Sequence, residues 1–324
     1  MKSNATPHLQ NQLLAALPLC FVQVFLLGMA AAGGVYDFTW PLLIVSFGAL
    51  IIAPLTLEVL RRHGMNIRVP VLVFIPAWGG MIFASVDGGW PCALPWLLVT
   101  LWIAWQAVRE FLRGPRTLAR AVILSGPAML AVGGAWYFAD RARLSPLGFD
   151  FIIVRLTAAH FHFAGFVLPV VAGLVLRDLP VKIVKLSALG VMAGVPMVAT
   201  GITLTRMGAP VEAECCLALV FSVCALLTGL AQVVLAWHAP AQRNIPRLFL
   251  TISGICLAAG MTMAILYALR PWVQLPWLQN FPRMWAWHGT IQAFGFALIG
   301  LCGWLGWRPP GNPTNRTSSS PAGS

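Results

Sequence analysis

AECCLALVFSVCALLTGLAQVVLAW, residues 213–237, decides the fold class. After Glu214 it carries no charged side chain, and its few polar residues follow no alternating pattern. A helix needs about 20 such residues to cross roughly 30 Å of hydrocarbon. The bilayer interior offers no water to backbone N–H and C=O groups, so they must be paired within the element or in a closed barrel. Barrel strands are shorter and alternate apolar with polar residues. The stretch therefore reads as a transmembrane helix.

Comparable runs occur on both sides of it. Spans are expected near 12–32, 41–60, 69–85, 90–111, 119–139, 150–176, 181–205, 213–237, 247–269 and 285–307. The third is the shortest and contains Pro70 and Pro76, so it is expected to kink or to cross only partly. The whole is an all-α, polytopic transmembrane helix bundle of about ten spans. Residues 1–11 form a polar N-terminal segment, 12–307 the helical domain, and 308–324 a disordered tail rich in Pro, Ser, Gly and Asn. Ala30-Ala31-Ala32 resembles a signal-peptidase site, but Lys2 is the only basic residue before the apolar run, which favours an uncleaved first helix.

Composition agrees. Hydrophobic residues make up 59% of the 324 and charged residues only 9%, against roughly 25% charged in soluble domains. The net charge of +12 does not indicate a nucleic-acid partner, because the basic residues sit in short loops between spans. Fifteen of the 21 Lys and Arg residues fall on one side, including Arg61, Arg62, Arg68, Arg113, Arg116, Arg177, Lys182, Arg243 and Arg308. Arg141, Arg143, Arg206, Arg270 and Arg283 lie on the other, and Arg155 is inside a span. The positive-inside rule then puts both termini in the cytoplasm, with the lipid bilayer as the principal partner. Cys20, Cys92, Cys215, Cys216, Cys224, Cys256 and Cys302 show no CxxC spacing and read as small packing residues. Asn315-Arg316-Thr317 is a sequon on the cytoplasmic side and carries no weight.

Charges at bilayer depth are costly, so those present are informative. Glu58 and Glu110 stand near cytoplasmic span ends and are expected to pair locally, with Arg61 and Arg62 and with Arg109 and Arg113. The sixth span, DFIIVRLTAAHFHFAGFVLP (150–169), is different. Arg155 falls roughly 7–8 Å inward of Asp150, and His160 and His162 about 15–18 Å inward, at a rise of 1.5 Å per residue. Residues two apart point about 200° away from each other, so His160 and His162 cannot both bind one metal on a regular helix. Arg155 and His162 share a face, whereas His160 lies on another with Thr157 and Ala164. One imidazole is thus free to line a cavity while the other fixes a neighbouring helix.

A second polar group lies at the outer ends of other spans. His288 opens the last span, with Gln292 one turn deeper; Thr203, Thr205 and Arg206 close the seventh. Glu212, Glu214, Asp37, Asp140 and Asp150 complete an outer ring, and Trp272, Trp277, Trp285 and Trp287 suit an interfacial aromatic belt. Gly190 and Gly194, and Gly295, Gly300, Gly303 and Gly306, read as helix-packing positions. The expectation is an outward-facing polar cavity lined by Arg155, His160 or His162, Arg206 and His288.

HFHFAGF at 160–166, preceded by Leu156-Thr157-Ala158-Ala159, and HGTIQAFGFALIGLCGW at 288–304 together resemble the YndJ-like family of bacterial membrane proteins. The Ala53-Pro54-Leu55 step is also similar, while Gln292 stands where the resemblance leads one to expect Asn. The resemblance implies a transporter-like membrane protein with a shared site at His160, His162 and His288, and it names no substrate or cofactor.

Three function classes remain. The first is a transporter for a small molecule. The second is a membrane-embedded enzyme or redox protein, in which His160, His162 and His288 ligate haem or a metal, or act as acid or base on a lipidic substrate. The third is an accessory protein whose polar residues only hold helices together. HExxH, CxxCH and DDxxD-like motifs are all absent from the sequence.

Overall fold

A computed structural model describes residues 40–86, 89–238, 244–277 and 279–307. The expected first span 12–32, the N-terminal segment 1–11, the tail 308–324 and the residues Asp37 and Arg243 lie outside the described residues. Nine long helices make up the described chain. They are α1 (Trp40–Arg62), α2 (Val71–Val86), α3 (Gly89–Arg113), α4 (Leu118–Arg141), α5 (Phe151–Asp178), α6 (Lys182–Arg206), α7 (Val211–His238), α8 (Asn244–Ala268) and α9 (Phe281–Gly306). No strand occurs among the described residues. Eight of these helices are long and apolar enough to span a bilayer. The exception is α2, whose 16 residues contain Pro76 and rise only about 24 Å. That is the helix whose run was shortest in the sequence.

Local chemistry sets the ends. Thr117 caps α4 by accepting the Arg120 N–H, and Asn280 caps α9 by accepting that of Arg283. Gly64 and Gly208, at φ 86° and 100°, turn the chain out of α1 and α6 in a conformation that disfavours a Cβ.

Two helices are enclosed by the others. The apolar windows of α1 and α5 are 83% and 89% buried, against 44% or less in the other six helices long enough to span. Helix α4 packs along the whole of α5, and α6 covers its inner half. Helix α1 lies between α5 and α9, with α2 beside it. The glycines act as packing positions. Gly190 and Gly194 of α6 receive Cys224 and Phe221 of α7, while Gly295, Gly300, Gly303 and Gly306 of α9 face Cys256, Ser253, Leu250 and Pro246 of α8. With no hydrophobic gain to be had between helices in lipid, such close approach lets dispersion contacts hold them together.

A further feature bears on the site. The three helices α1, α5 and α9 each relax into a π-helical turn near mid-span, at Gly48–Ile52, Phe163–Val167 and Ile291–Leu298. These turns meet. Gly48 abuts His162 and Phe163, and the Phe47 and Phe294 rings lie 4.6 Å apart. A π turn rotates the residues beyond it and weakens the local ladder, and such turns concentrate at functional positions.

The tryptophans divide. Trp272, Trp277 and Trp287 are exposed, as a belt requires, but Trp285 is buried and its ring stacks on Phe281. Glu58 pairs with Arg61 and Arg62 as expected. Glu110 instead takes Arg120, from the start of the next helix, at 2.6 Å. The turn from α3 into α4 carries Arg120 back over the end of α3, where it also reaches the Glu110 carbonyl.

Candidate functional site

His162 is built into the core. It is fully buried, with Nδ1 2.8 Å from the Ala158 carbonyl and Nε2 3.0 Å from Trp96 Nε1 of α3. An indole N–H can only donate, so Nε2 accepts and the imidazole proton sits on Nδ1, donated to Ala158. The Trp96 ring runs nearly parallel to the imidazole at 5.8 Å. A Cβ at Gly133 of α4 would come within 2.9 Å of Nδ1. Both nitrogens are therefore engaged and the ring has no room to turn. His162 drops out of the possible metal set His160, His162 and His288, because ligation would break the bond to Trp96.

His160 points elsewhere. It leaves α5 toward α9, and its ring lies 6.5 Å from that of His288, with planes 23° apart. The two sit at one level: His160 lies about 13 Å along α5 from Phe151 and His288 about 10 Å along α9 from Phe281, at 1.5 Å per residue. His160 Nδ1 is 2.8 Å from the Leu156 carbonyl, and His288 Nδ1 is 2.9 Å from the Gly260 carbonyl of α8. A carbonyl accepts only, so both rings hold their proton on Nδ1. Each is left with Nε2 as an acceptor that no hydrogen bond fills among the described residues. His160 is exposed among the described residues despite its depth.

Gln292 supports this pair from one turn below. Its side chain packs over Gly260, and Nε2 reaches the Leu257 carbonyl at 3.4 Å. The α8 turn that receives His288 is thus held from both sides.

Arg155 belongs to a different place. It reaches Asp140 of α4 at 3.2 Å and lies over the Phe151 ring. Asp140 also receives Arg141 through two nitrogens at 2.9 and 2.6 Å. Arg206 donates to the Gly148 carbonyl at 2.7 Å and so ties the end of α6 to the loop before α5. The expected cavity of Arg155, a histidine, Arg206 and His288 is therefore divided. Five residues on a helix turn the side chain by about 140°, so Arg155 faces α4 while His160 faces α9.

The family described as YndJ-like protein matches residues 43–296, more than three quarters of the chain. The chain belongs to the YndJ-like family. It is 25% identical over 255 residues to the uncharacterized membrane protein YndJ of Bacillus subtilis (strain 168), covering 78% of this chain and 44% of that protein. The chain thus spans less than half the length of this curated relative. No solved structure matches it. Arg155, His160, His162, Arg206, His288 and Gln292 all fall within the YndJ-like region.

Sequence reasoning missed another polar assembly of this YndJ-like protein, at the end of the bundle assigned to the cytoplasm. His63, just past α1, is buried. Its Nδ1 faces Arg177 of α5 at 3.0 Å and its Nε2 the Trp304 carbonyl of α9 at 3.1 Å. Arg177 also pairs with Asp178, which accepts the Trp307 indole N–H at 2.9 Å. Trp304 donates to Gln232 of α7, and Gln232 bonds Ser253 and the Leu250 carbonyl of α8. Five helices are thereby joined at one end. The only local signal was the Arg177-Asp178 pair beside a span end, which reads equally well as a headgroup contact.

Burial, with the Arg177 cation beside it, lowers the His63 pKa from 6.5 to about 4; the Trp304 carbonyl and Asp178 act in the opposite direction, and Arg62 adds to the lowering. Folding thus favours neutral His63. Its contribution is complete above pH 6.5 and is lost as pH falls toward about 4, a loss of up to about 3 kcal/mol by linkage. Thermal unfolding of the detergent-solubilised protein between these limits is expected to show that loss, and His63→Gln to flatten it. An equal slope in both proteins would contradict the assignment.

Proposed function

We propose that this chain is a transporter-like protein of the bacterial cytoplasmic membrane, with His160 and His288 as the pair that takes up the transported or coupling proton. The observation that carries this reading is the pairing itself. Two imidazoles from different helices meet part-way across the bundle, each oriented by a backbone carbonyl and each keeping Nε2 for an incoming donor. Ionisable groups at such depth are costly to keep and occur along proton and substrate pathways. The neighbouring π turns in α5 and α9 supply segments whose hydrogen bonds are already loosened, which suits a helix that must shift when the pair changes charge. His162 serves as the fixed side of α5 and takes no part in uptake.

A second reading rests on the same two Nε2 atoms, which offer one ligand from each of two helices to haem or a metal ion. Among the described residues no group of three or more His, Cys, Asp or Glu side chains supports a metal cage. A metal ion would therefore need ligands from outside that set, whereas haem needs no protein ligand beyond the two imidazoles.

The test uses liposomes loaded with a pH-sensitive dye. An imposed pH gradient is expected to decay faster with the protein than without it, and His160→Ala or His288→Ala to remove most of the difference while leaving thermal stability near that of the parent. Decay that is indifferent to both substitutions would sink the proton reading. A visible haem band in the purified protein, lost in both variants, would establish the second reading instead.

A further inference from the structure

At the end of the bundle assigned to the cytoplasm, α3 leaves one face uncovered. The helix packs against α2 and α4. Along its remaining side Leu98, Leu101, Trp102, Trp105, Val108 and Leu112 are exposed, as contact with hydrocarbon requires. Trp102, Gln106, Arg109 and Arg113 follow one another at steps of four, three and four, which puts them on one side of the helix. The chain before α2 is tied to that side. The Gln106 amide accepts the Arg68 N–H at 3.0 Å and donates to the Arg68 carbonyl at 2.7 Å, and the Trp102 indole N–H donates to the same carbonyl at 3.3 Å. Three exposed arginines, Arg68, Arg109 and Arg113, are thereby gathered beside two exposed indoles whose rings lie 4.9 Å apart.

Arg109 does not extend toward the cytoplasm. Its guanidinium carbon lies 5.1 Å over the ring of Trp105, one turn deeper and about 12 Å inward of Arg113 at 1.5 Å per residue. A long basic side chain near a helix end ordinarily runs outward to water. Here the indole face holds the cation back at headgroup level. A cation on the lipid side is costly without an anion, and the protein supplies none. The chain has nine acidic residues. Those at this end are Glu58, Glu110 and Asp178, which are held by Arg61 and Arg62, by Arg120 and by Arg177. Asp140, Asp150, Glu212 and Glu214 border the opposite ends of α4, α5 and α7. In sequence, Asp37 precedes Trp40 and Asp87 follows Val86, the ends of α1 and α2 away from Arg62 and Val71.

Guanidinium forks match the paired oxygens of a phosphate, and basic clusters at a span end attract anionic lipid. A second copy of the chain would bring the same positive patch to both sides of a two-fold contact, which repels. We propose that this face of α3 binds an anionic phospholipid, with the headgroup phosphate on Arg109 and Arg113, Arg68 beside them, and an acyl chain along Leu98, Leu101 and Trp105. The proposal is independent of proton uptake at His160 and His288.

The probes are dioleoyl phosphatidylglycerol and dioleoyl phosphatidylcholine, added to the full chain in detergent and counted as retained lipid by native mass spectrometry. Phosphatidylglycerol is expected to be retained more tightly than phosphatidylcholine. Arg109→Gln should weaken its retention about fivefold, the usual effect of one basic residue at an anionic surface. Because Arg109 is exposed, the variant should keep the parent's unfolding midpoint in the absence of lipid. Trp105→Leu keeps the charge but removes the ring that places it, and should weaken retention less. Lys182→Gln removes an exposed cation from the same end, at the start of α6, and should leave retention unchanged. Equal retention of the two lipids, or a loss in Lys182→Gln as large as that in Arg109→Gln, would overturn the proposal. So would displacement of phosphatidylglycerol by inorganic phosphate at equal concentration, which would make the ligand a soluble anion. A dimer that Arg109→Gln dissociates would assign the face to a second copy and overturn it as well.

Discussion

His162→Ala is expected to destabilise the protein by about 3–4 kcal/mol, whereas His160→Ala, only two residues away, is expected to cost less than about 1 kcal/mol. The difference follows from what each ring touches. Removing the fully buried His162 ring empties a space walled by Trp96, Gly133 and Gly48, and leaves the Trp96 N–H without its acceptor inside the bundle. The cavity and the orphaned donor add. His160 is exposed and bonds only to a carbonyl of its own helix, so its loss opens no cavity. Thermal unfolding in one detergent, with His162→Gln as a further comparison, measures the contrast. Equal losses at the two positions would mean that His160 is as structural as His162, and would remove the physical basis for assigning uptake to the exposed ring.

Asp140→Ala is the second large effect, at about 2–4 kcal/mol. Asp140 is buried at the end of α4 and holds Arg141 and Arg155, whose side chains are only 15% and 13% exposed. Taking away the carboxylate leaves two nearby cations without the anion between them, which costs more than the pair contributes when intact. The value is set below that of a fully buried pair because both guanidiniums keep some exposure. Asp140→Asn keeps the shape and two polar atoms, so its loss should be clearly smaller. Unfolding midpoints of the three proteins at one ionic strength decide this. Identical stability of parent and Asp140→Ala would show that the arginines are adequately solvated without the carboxylate.

The span pattern was legible because hydropathy acts on each segment alone. A run such as 213–237 must be helical in a bilayer whatever surrounds it, and the structure has α7 at Val211–His238. The doubt about the third run was also local, since Pro70, Pro76 and the short apolar length are all visible in one stretch. The back-to-back placement of His160 and His162 followed from helical rotation within a single element. Glu110 shows where local reading stops. Arg109 and Arg113 are its neighbours in sequence, but the turn into α4 delivers Arg120 instead.

For the site, sequence supplied the unusual residues but not their grouping. Arg155, His160, His162, Arg206, His288 and Gln292 were singled out because polar atoms at bilayer depth are costly. Grouping them into one cavity required the absolute rotation of each helix and the identity of its neighbours, which rotation within a helix leaves undetermined. The His63 assembly went unseen for the same reason, as it joins residues more than a hundred positions apart.

Sequence alone therefore determined that this YndJ-like chain is an all-helical membrane protein, approximately where its helices run, and which side chains are too polar for their depth. Each of those follows from the solvent, because lipid imposes its rule on one segment at a time. Only the tertiary structure decided that Trp96 claims His162, that His288 meets His160 beside three π turns, and that Asp140 draws Arg155 and Arg141 together at the end of α4. Those are choices among neighbours, made by small residues that admit close approach and by the few hydrogen-bond partners within reach.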